Sequence, residues 1–219
     1  MVPRPAERLA MQDDARLGFK AETDQATVDR HMERYRQAVH AARTLWGTGG
    51  TWLDLGCGTG YGAEVIGRVA DTYIGVDISD RAVAYAKRHH GGDRRHFIWA
   101  SHRTWPLTLE QQQLPAPDVV VCIEAYEHLR ASEQAVLLYR VAKYMDKSGV
   151  LVVMCPLGNG PNAANPYHLH EPTIEELGHA LARSFRYWSV AVCAPYTSTG
   201  GEQATQALGL GSRMTPIPE

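Results

Sequence analysis

Short apolar runs alternate with amphipathic segments along the chain, and this alternation predicts strands and helices in turn. The strand-like runs lie at residues 51–55, 72–77, 95–100, 118–123, 149–155 and 185–193. Helical spacing of apolar residues marks 27–45, 61–70, 79–90, 132–145 and 173–184. The runs at 118–123 and 149–155 are almost continuously apolar, which is typical of central parallel strands covered on both faces. The pattern predicts an α/β fold: a Rossmann-like, doubly wound, mostly parallel sheet of about six to seven strands with helices on both faces.

The two ends of the chain lack this alternation. Residues 1–23 are polar and contain two prolines, so we predict a flexible N-terminal arm before a domain at residues 24–193. Residues 194–219 are rich in glycine, threonine, serine and proline and show no strand pattern. We predict a C-terminal tail there, which is either a flexible end or a cover over the functional site.

The composition is that of an ordinary globular protein. Of 219 residues, 44% are hydrophobic and 21% charged, and the net charge of -2 gives no overall attraction to nucleic acid or to anionic membranes. No apolar run approaches the roughly 18 residues of a membrane span, and the first residues lack the basic-then-apolar order of a secretory signal. The four cysteines form no CxxC pair, which favours a reduced cytoplasmic protein over a zinc–thiolate site.

The stretch LDLGCGTGYGAE places a glycine-rich loop between the first predicted strand and the next helix. Glycines there permit positive φ angles and close approach of the backbone to a ligand, at the carboxyl edge where open parallel sheets bind ligands. From Gly58 the loop also fits the dinucleotide pattern, so an NAD-dependent oxidoreductase stays open, with YRVAK (139–143) as its candidate hydride site. Two acids favour S-adenosylmethionine instead. Asp54 lies inside the first strand, and Asp77 ends the second, where its two oxygens can accept from both ribose hydroxyls.

The stretch IEAYEHL (123–129) gathers acids and an imidazole at the end of a buried strand. Glu124, Glu127 and His128 are spaced i, i+3 and i+4, so a helical turn would put them on one face. Crowded carboxylates repel unless a proton or a cation lies between them, and a divalent cation suits oxygen ligands with an imidazole. His168 and His170, in the loop after the fifth strand, are the candidates for a further ligand.

Together, LDLGCGTGYG, GVDIS and IEAYEHL resemble the class I S-adenosylmethionine-dependent methyltransferases, over about residues 30–193. The resemblance implies that Asp54 orients the ammonium of the cofactor, Asp77 binds its ribose and Ile78 packs on its adenine. Ser101 stands where family members often place an aspartate against the adenine amino group. Arg34 or Tyr35 would approach the methionine carboxylate. The implied cofactor-binding set is Tyr35, Asp54, Gly56, Gly58, Gly60, Asp77, Ile78, Ser101 and Glu124.

The E-x-x-E-H pattern is similar to that of small-RNA terminal 2'-O-methyltransferases and ubiquinone-pathway O-methyltransferases, which bind a metal through it. Bacterial methyltransferases of glycans and other metabolites often combine it with a downstream H-x-H-E. The resemblance implies a divalent ion (Mg, Mn or Zn) bound by Glu124, Glu127, His128 and one of His168 or His170. The ion would lower the pKa of an acceptor hydroxyl. The expected activity is O-methylation of a sugar, phenol or other small hydroxylated metabolite, with His128 and Glu127 as catalytic residues.

Other interpretations stay open at this point. His128 is either a metal ligand, a metal-free general base for an O- or N-acceptor, or a residue that only shapes the pocket. Ten arginines, lysines and histidines lie between residues 81 and 103, and they fit a solvated face better than a nucleic-acid patch. A non-catalytic methyltransferase-like binding module is the remaining class.

Overall fold

The computed structural model describes residues 25–162, 165, 167–193, 196–197, 203–213 and 217. The predicted N-terminal arm (1–23) and parts of the predicted tail lie outside these residues. The described strands are β1 (Thr51–Leu55), β2 (Thr72–Asp77), β3 (Arg95–Trp99), β4 (Val119–Ile123), β5 (Val150–Pro156), β6 (Tyr187–Val192), β7 (Tyr196–Thr197), β8 (Gln203–Ala204) and β9 (Gln206–Ser212). The described helices are α1 (Gln25–Leu45), α2 (Ala63–Ile66), α3 (Asp80–His90), α4 (Trp105–Gln111), α5 (Ala131–Tyr144) and α6 (Ile174–Ser184), with a 3₁₀ turn at Tyr126–His128.

Seven of these strands form one sheet in the order β3-β2-β1-β4-β5-β9-β6, and β7 pairs separately with β8. The five strands from β3 to β5 are mutually parallel. Strand β9 runs antiparallel to both β5 and β6. The predicted α/β, Rossmann-like and mostly parallel sheet is therefore confirmed.

Strand β9 lies where the sequence showed no strand pattern. It pairs with β5 along the whole length of that strand, from Val150↔Ser212 to Pro156↔Gln206, so the sheet extends beyond residue 193. Its two glycines explain why the pattern was hidden. A Cβ at Gly211 would lie 2.8 Å from the Phe185 ring, and glycine in a strand often marks such a close approach.

The helices differ from prediction in two places. The predicted helix at 61–70 shortens to α2, which is bounded by Gly62 and Gly67. Helix α4 was not predicted, because it is only seven residues long and carries a proline in its first turn. The predicted N-cap of α3 is confirmed, since the Ser79 hydroxyl accepts from the N–H of Ala82.

The core lies on both faces of the sheet. Every residue of β1, β4 and β5 is buried, which confirms the prediction made for β4 and β5 from their apolar runs. Helix α1 packs on β4 and β5, and its buried residues include Tyr35, Ala38 and Ala42. Among the described residues, no helix has the length and hydropathy needed to cross a membrane. The four cysteines are free thiols.

Candidate functional site

The glycine loop (residues 56–62) leaves the carboxyl end of β1 in left-handed backbone conformations. The φ angles are +85° at Gly56, +54° at Gly58 and +87° at Gly60, a region that side-chain-bearing residues rarely adopt. At Gly56 a Cβ would also meet the Cβ of Ala125 at 2.3 Å. The loop is thus folded tightly against the turn that follows β4, and glycine is needed for both reasons.

The carboxylate of Asp77, at the end of β2, holds this loop in place. Its Oδ2 accepts from the backbone N–H of Gly58 at 2.9 Å, and its Oδ1 accepts from the N–H of Ser79 at 2.8 Å. The predicted cofactor residues Gly58 and Asp77 are therefore brought together at the carboxyl edge of the sheet. A charged acceptor of this kind stabilises the loop by more than a neutral one would.

Asp54 lies fully buried beneath the loop, with one oxygen satisfied and one not. Its Oδ2 accepts from the hydroxyls of Tyr35 (3.0 Å) and Tyr73 (2.9 Å), whereas Oδ1 has no hydrogen-bond partner among the described residues. Burial raises the pKa of Asp54 to about 7, although both phenol hydrogen bonds lower it. Tyr35 thus contacts Asp54 directly. An unpaired buried carboxylate oxygen is an atom that a cationic ligand group would satisfy.

We expect the raised pKa of Asp54 to make stability depend on pH. The group has a pKa of about 7 in the folded chain against an ordinary value of 3.8, so between these values only the folded state keeps the proton. Its stabilising contribution is complete at low pH and is lost as the pH rises through about 7, with a slope of up to about 1.4 kcal/mol per pH unit. In Asp54→Asn, the free energy of unfolding measured in urea across this pH range should no longer show that slope. The exposed change Asp93→Asn is the control, and an unchanged slope in Asp54→Asn would contradict the assignment.

Helix α1 contacts the glycine loop through a second pair of side chains. The Nδ1 atom of His31 lies 2.6 Å from the hydroxyl of Tyr61, which is also in edge-to-face contact with Tyr35. Burial, and then the neighbouring Arg34, lower the pKa of His31 to about 4, so its ring is neutral near pH 7. The sequence did not single out His31 because it lies in an ordinary amphipathic helix.

We expect Gly62→Ala to destabilise the protein at the place where α1 meets the loop. A Cβ at Gly62 would lie 2.3 Å from the Tyr35 ring and 2.8 Å from Oδ2 of Asp54, while the φ of -57° is acceptable for alanine. Overpacking of this kind costs about 1–3 kcal/mol. Urea unfolding should show that loss. Gly92→Ala is the matched control, because open space surrounds its position, and equal stability of the two variants would argue against the close approach of Tyr35 to Gly62.

Two apolar side chains stand open at the ends of β2 and β3. Ile78 is 55% exposed and Trp99 is 65% exposed, and the indole Nε1 of Trp99 donates to the carbonyl of Ile78 at 2.9 Å. Ser101 lies just beyond, but its hydroxyl accepts from the N–H groups of Arg103 and Thr104 in a local turn. Ile78 has the exposure that the adenine prediction requires, and Trp99 is an exposed neighbour that the prediction missed.

Beyond β4, three of the five predicted metal ligands come together. One possible ligand atom from each of Glu127, His128 and His168 lies within 4.8 Å of the others, and we call these residues the Glu127–His128–His168 cluster. Glu127 is only 1% exposed, and both its oxygens lack a hydrogen-bond partner among the described residues. The Nε2 atom of His168 lies 4.0 Å from Oε1 of Glu127.

The other two predicted ligands point elsewhere. Glu124 has a φ of +52°, and its Oε2 lies 2.8 Å from the guanidinium of Arg34. Its Oε1 accepts from Gln206, whose own Oε1 accepts from Nε of Arg34 at 3.1 Å. We call this closed arrangement the Arg34–Glu124–Gln206 triangle. His170 instead contacts Glu176 at 3.1 Å through Nε2.

The cluster joins a buried carboxylate to two imidazoles, and the charge of that carboxylate is compensated by a cation, either a bound ion or a protonated His168. Although burial lowers the pKa of His168, its hydrogen bond to Glu171 and the charge of Glu127 raise it above its ordinary value. Burial raises the pKa of Glu127 to about 7, although His168 lowers it. Burial lowers the pKa of His128, so its ring tends to be neutral. Two imidazoles and one carboxylate with unpaired oxygens form a donor set that divalent transition metals accept. The residues present therefore fit a divalent ion.

The seven-stranded order with one antiparallel strand, the glycine loop and the acid at the end of β2 define the class I S-adenosylmethionine-dependent methyltransferase fold. A family model described as "Methyltransferase domain" matches residues 28–210. The chain belongs to this family, as its motifs implied.

Known relatives agree with this membership. A probable S-adenosylmethionine-dependent methyltransferase of Mycobacterium tuberculosis is 29% identical over 175 residues, covering 76% of this chain and 59% of the relative. The ubiquinone biosynthesis O-methyltransferase of Bradyrhizobium diazoefficiens is 32% identical over 101 residues, covering 46% of this chain and 38% of the relative. The chain thus spans about three fifths of the length of the mycobacterial relative and about two fifths of the other.

Among solved structures, the N-methyltransferase NodS of Bradyrhizobium japonicum WM9, in complex with S-adenosyl-L-homocysteine, has a similar fold. The TM-score is 0.65 at 17% identity, and the match covers 94% of this chain and 96% of that one. At this identity the likeness concerns the fold alone.

Proposed function

We propose that this protein is an S-adenosylmethionine-dependent methyltransferase that methylates a hydroxyl of a small molecule such as a sugar or phenol, assisted by a divalent metal. The observation that carries the proposal is the glycine loop, held by Asp77 above the unpaired oxygen of Asp54. The loop lies beside a second, acid- and histidine-lined cluster. The proposed cofactor-binding edge and the proposed metal ligands would thus be neighbours, since Gly56 lies against Ala125, just before the turn that carries Glu127 and His128.

The cofactor's groups match the chemistry of the residues at that edge. The ammonium would satisfy Oδ1 of Asp54, which has no partner among the described residues. The ribose hydroxyls would donate to the Asp77 carboxylate, and the adenine would cover the exposed side chain of Ile78. Family membership and the relatives' names support S-adenosylmethionine over a dinucleotide.

The reaction itself needs positioning more than covalent help from the protein. The acceptor oxygen attacks the methyl carbon in line with the sulfur, the carbon–sulfur bond breaks, and S-adenosylhomocysteine leaves as the neutral thioether. The hydroxyl proton must pass to a base. A divalent ion held by Glu127, His128 and His168 would lower the pKa of that hydroxyl.

The main alternative is metal-free catalysis, with His128 as the general base. The Nδ1–H of His128 donates to the carbonyl of Tyr167 at 2.9 Å, so the ring's Nε2 keeps its lone pair when the ring is neutral. Burial lowers the pKa of His128 and maintains that state. Such a base would serve an oxygen or a nitrogen acceptor equally.

Calorimetry with S-adenosylhomocysteine tests cofactor binding directly. We expect saturable binding to the purified protein, and no heat at high micromolar ligand would end the methyltransferase proposal. Titration with NADH is the matched comparison, and binding of NADH alone would favour the oxidoreductase.

Glu127→Gln tests the metal. The change keeps the shape of the side chain but removes its charge from a site with 1% exposure. We expect methyl transfer to fall by about 100-fold or more, since a lost ligand costs several kcal/mol of transition-state stabilisation. A chelator should lower wild-type activity similarly. Activity that resists both treatments would favour His128 as the base.

The methylated atom of the acceptor can be identified by mass spectrometry of the product. The relative named for ubiquinone biosynthesis is an O-methyltransferase, whereas the NodS neighbour is an N-methyltransferase.

The proposed location is the cytoplasm. The four free cysteines agree with a reducing compartment of this kind. The net charge of -2 argues against nucleic acid as the acceptor.

A further inference from the structure

Backbone hydrogen bonds hold several described residues around His168. The backbones of Gly160 and Glu171 exchange two hydrogen bonds, of 3.0 Å and 2.8 Å. Within this bridge the N–H of Asn162 donates to the carbonyl of His168, and the N–H of His168 donates to the carbonyl of Asn165. His168 therefore has a fixed backbone, although it lies in a loop.

The same segment is joined to the turn that carries Glu127 and His128. The N–H of His170 donates to the carbonyl of Glu127 at 3.2 Å, and the side chain of Gln134 donates to the carbonyl of His170 at 2.7 Å. These contacts join the segment that carries His168 to the turn that carries His128. Their rings lie edge to face, with centroids 5.1 Å apart.

Each of these two histidine rings is also oriented by a hydrogen bond from its Nδ1 atom. His128 donates through Nδ1 to the carbonyl of Tyr167, and His168 donates through Nδ1 to the carboxylate of Glu171. Glu171 is only 8% exposed, and it is anchored in turn by the amide of Asn162 at 2.7 Å. In the neutral form of each ring, Nε2 is therefore the atom with the free lone pair, and Nε2 of His168 lies 4.0 Å from Oε1 of Glu127.

We propose that Glu171, anchored by Asn162, is a positioning residue that fixes the tautomer and orientation of His168, so that the Glu127–His128–His168 cluster is arranged for a divalent metal before the metal binds. This inference rests on the metal part of the proposed function. Carboxylates that orient metal-bound histidines typically affect metal affinity by about 10- to 100-fold. A purely structural Glu171 would change stability without such an effect on the metal.

Titration of the metal-free protein with Co²⁺, followed by visible absorption and by competition with Zn²⁺, tests the inference. In Glu171→Gln we expect binding about 10- to 100-fold weaker than in the wild type, because an amide can turn its NH₂ group to the ring and favour the wrong tautomer. Glu175→Gln is the matched control, since it removes the same charge from an exposed position in the next helix. Its affinity should equal that of the wild type.

A second variant keeps the test valid if Glu171→Gln folds poorly. Asn162→Ala leaves the Glu171 carboxylate in place but removes its anchor, and we expect a smaller loss of Co²⁺ affinity. In the metal-free wild type, a downfield proton signal on Nδ1 of His168 should be visible by NMR and absent in Glu171→Gln. Thermal unfolding and S-adenosylhomocysteine binding establish that each variant is folded.

The failures of the two proposals are distinguishable. Equal Co²⁺ affinity in the wild type and folded Glu171→Gln overturns the role of Glu171 and leaves the metal site intact. A wild type that binds S-adenosylhomocysteine but no metal overturns both the role of Glu171 and the metal part, while S-adenosylmethionine-dependent methyl transfer stands.

Discussion

Replacing Arg34 by methionine is expected to lower the free energy of unfolding by about 3–5 kcal/mol. The guanidinium is buried and pairs with Glu124 at 2.8 Å. Without the guanidinium, the Glu124 carboxylate stays largely buried and keeps only the hydrogen bond that Gln206 of the triangle donates to it. Breaking a buried ion pair on one side is costly because a charge is left uncompensated. Urea unfolding of the variant measures the loss.

The chain supplies its own control for this experiment. Arg36 lies on the same helix and pairs with Glu33, three residues away, but both side chains are more than half exposed. Arg36→Met should therefore cost less than about 1 kcal/mol. Similar losses for the two variants would contradict the distinction between the buried and the exposed pair.

The cost of Arg34→Met should also depend on pH. Burial and the neighbouring Glu127 raise the pKa of Glu124 to about 7, while Arg34 lowers it. Without Arg34 the pKa rises further, so at mildly acid pH the lone carboxyl takes up a proton and the penalty falls. The loss should thus be larger near pH 8 than near pH 6. A loss that does not change with pH would mean that Glu124 is not the group left unpaired.

The second large effect is expected at Asp77. In Asp77→Asn we expect binding of S-adenosylhomocysteine to weaken by about 10- to 150-fold, because hydrogen bonds to a charged group contribute about 1.5–3 kcal/mol. The change also weakens the acceptors for the N–H groups of Gly58 and Ser79, so the loop itself loses order. Calorimetry measures the affinity directly.

Asp80→Asn is the matched control for Asp77→Asn. Asp80 lies three residues further on, at the first position of α3, and its side chain accepts a local N–H from Arg81. It carries the same charge near the same edge of the sheet, yet it does not touch the glycine loop in the described contacts. Equal weakening in both variants would indicate a general charge effect and remove the assigned role of Asp77.

The sequence predicted those parts of the fold in which a run of residues has a single physical explanation. The runs that became β4 and β5 are apolar at every position because both faces are covered. Strand β9 escaped prediction because Gly209 and Gly211 interrupt any strand pattern; they allow α6 and Phe185, respectively, to pack closely. The need for glycine at such a position becomes clear only when the side chain packed against it is known.

The candidate site was predictable to the same limited degree. Asp77 and the glycine loop follow from strand ends, which meet at one edge of a parallel sheet. The i, i+3, i+4 spacing of Glu124, Glu127 and His128 assumed an α-helical turn. The chain forms a 3₁₀ turn at Tyr126–His128 instead, and Glu124, which precedes it with a positive φ, pairs with Arg34.

Distant partners were beyond the reach of local patterns. Arg34 and Gln206 are separated by 172 positions, and nothing in the periodicity of either segment indicates that they meet. Glu127 was predicted from the spacing of the E-x-x-E-H motif, and His168 from its place in the loop after the fifth strand. The orienting role of Glu171 depends instead on a loop conformation that no spacing rule specifies.

The placement of β9 has a consequence for the order in which the protein is made. Strand β9 lies between β5 and β6, although it is synthesised after both, so a nascent chain ending near residue 192 has two strands with no partner between them. Exposed edges of this kind invite pairing with other chains. The Arg34–Glu124–Gln206 triangle likewise cannot close until Gln206 has left the ribosome, so Arg34 and Glu124 gain their third partner only after β1 to β6 have been synthesised.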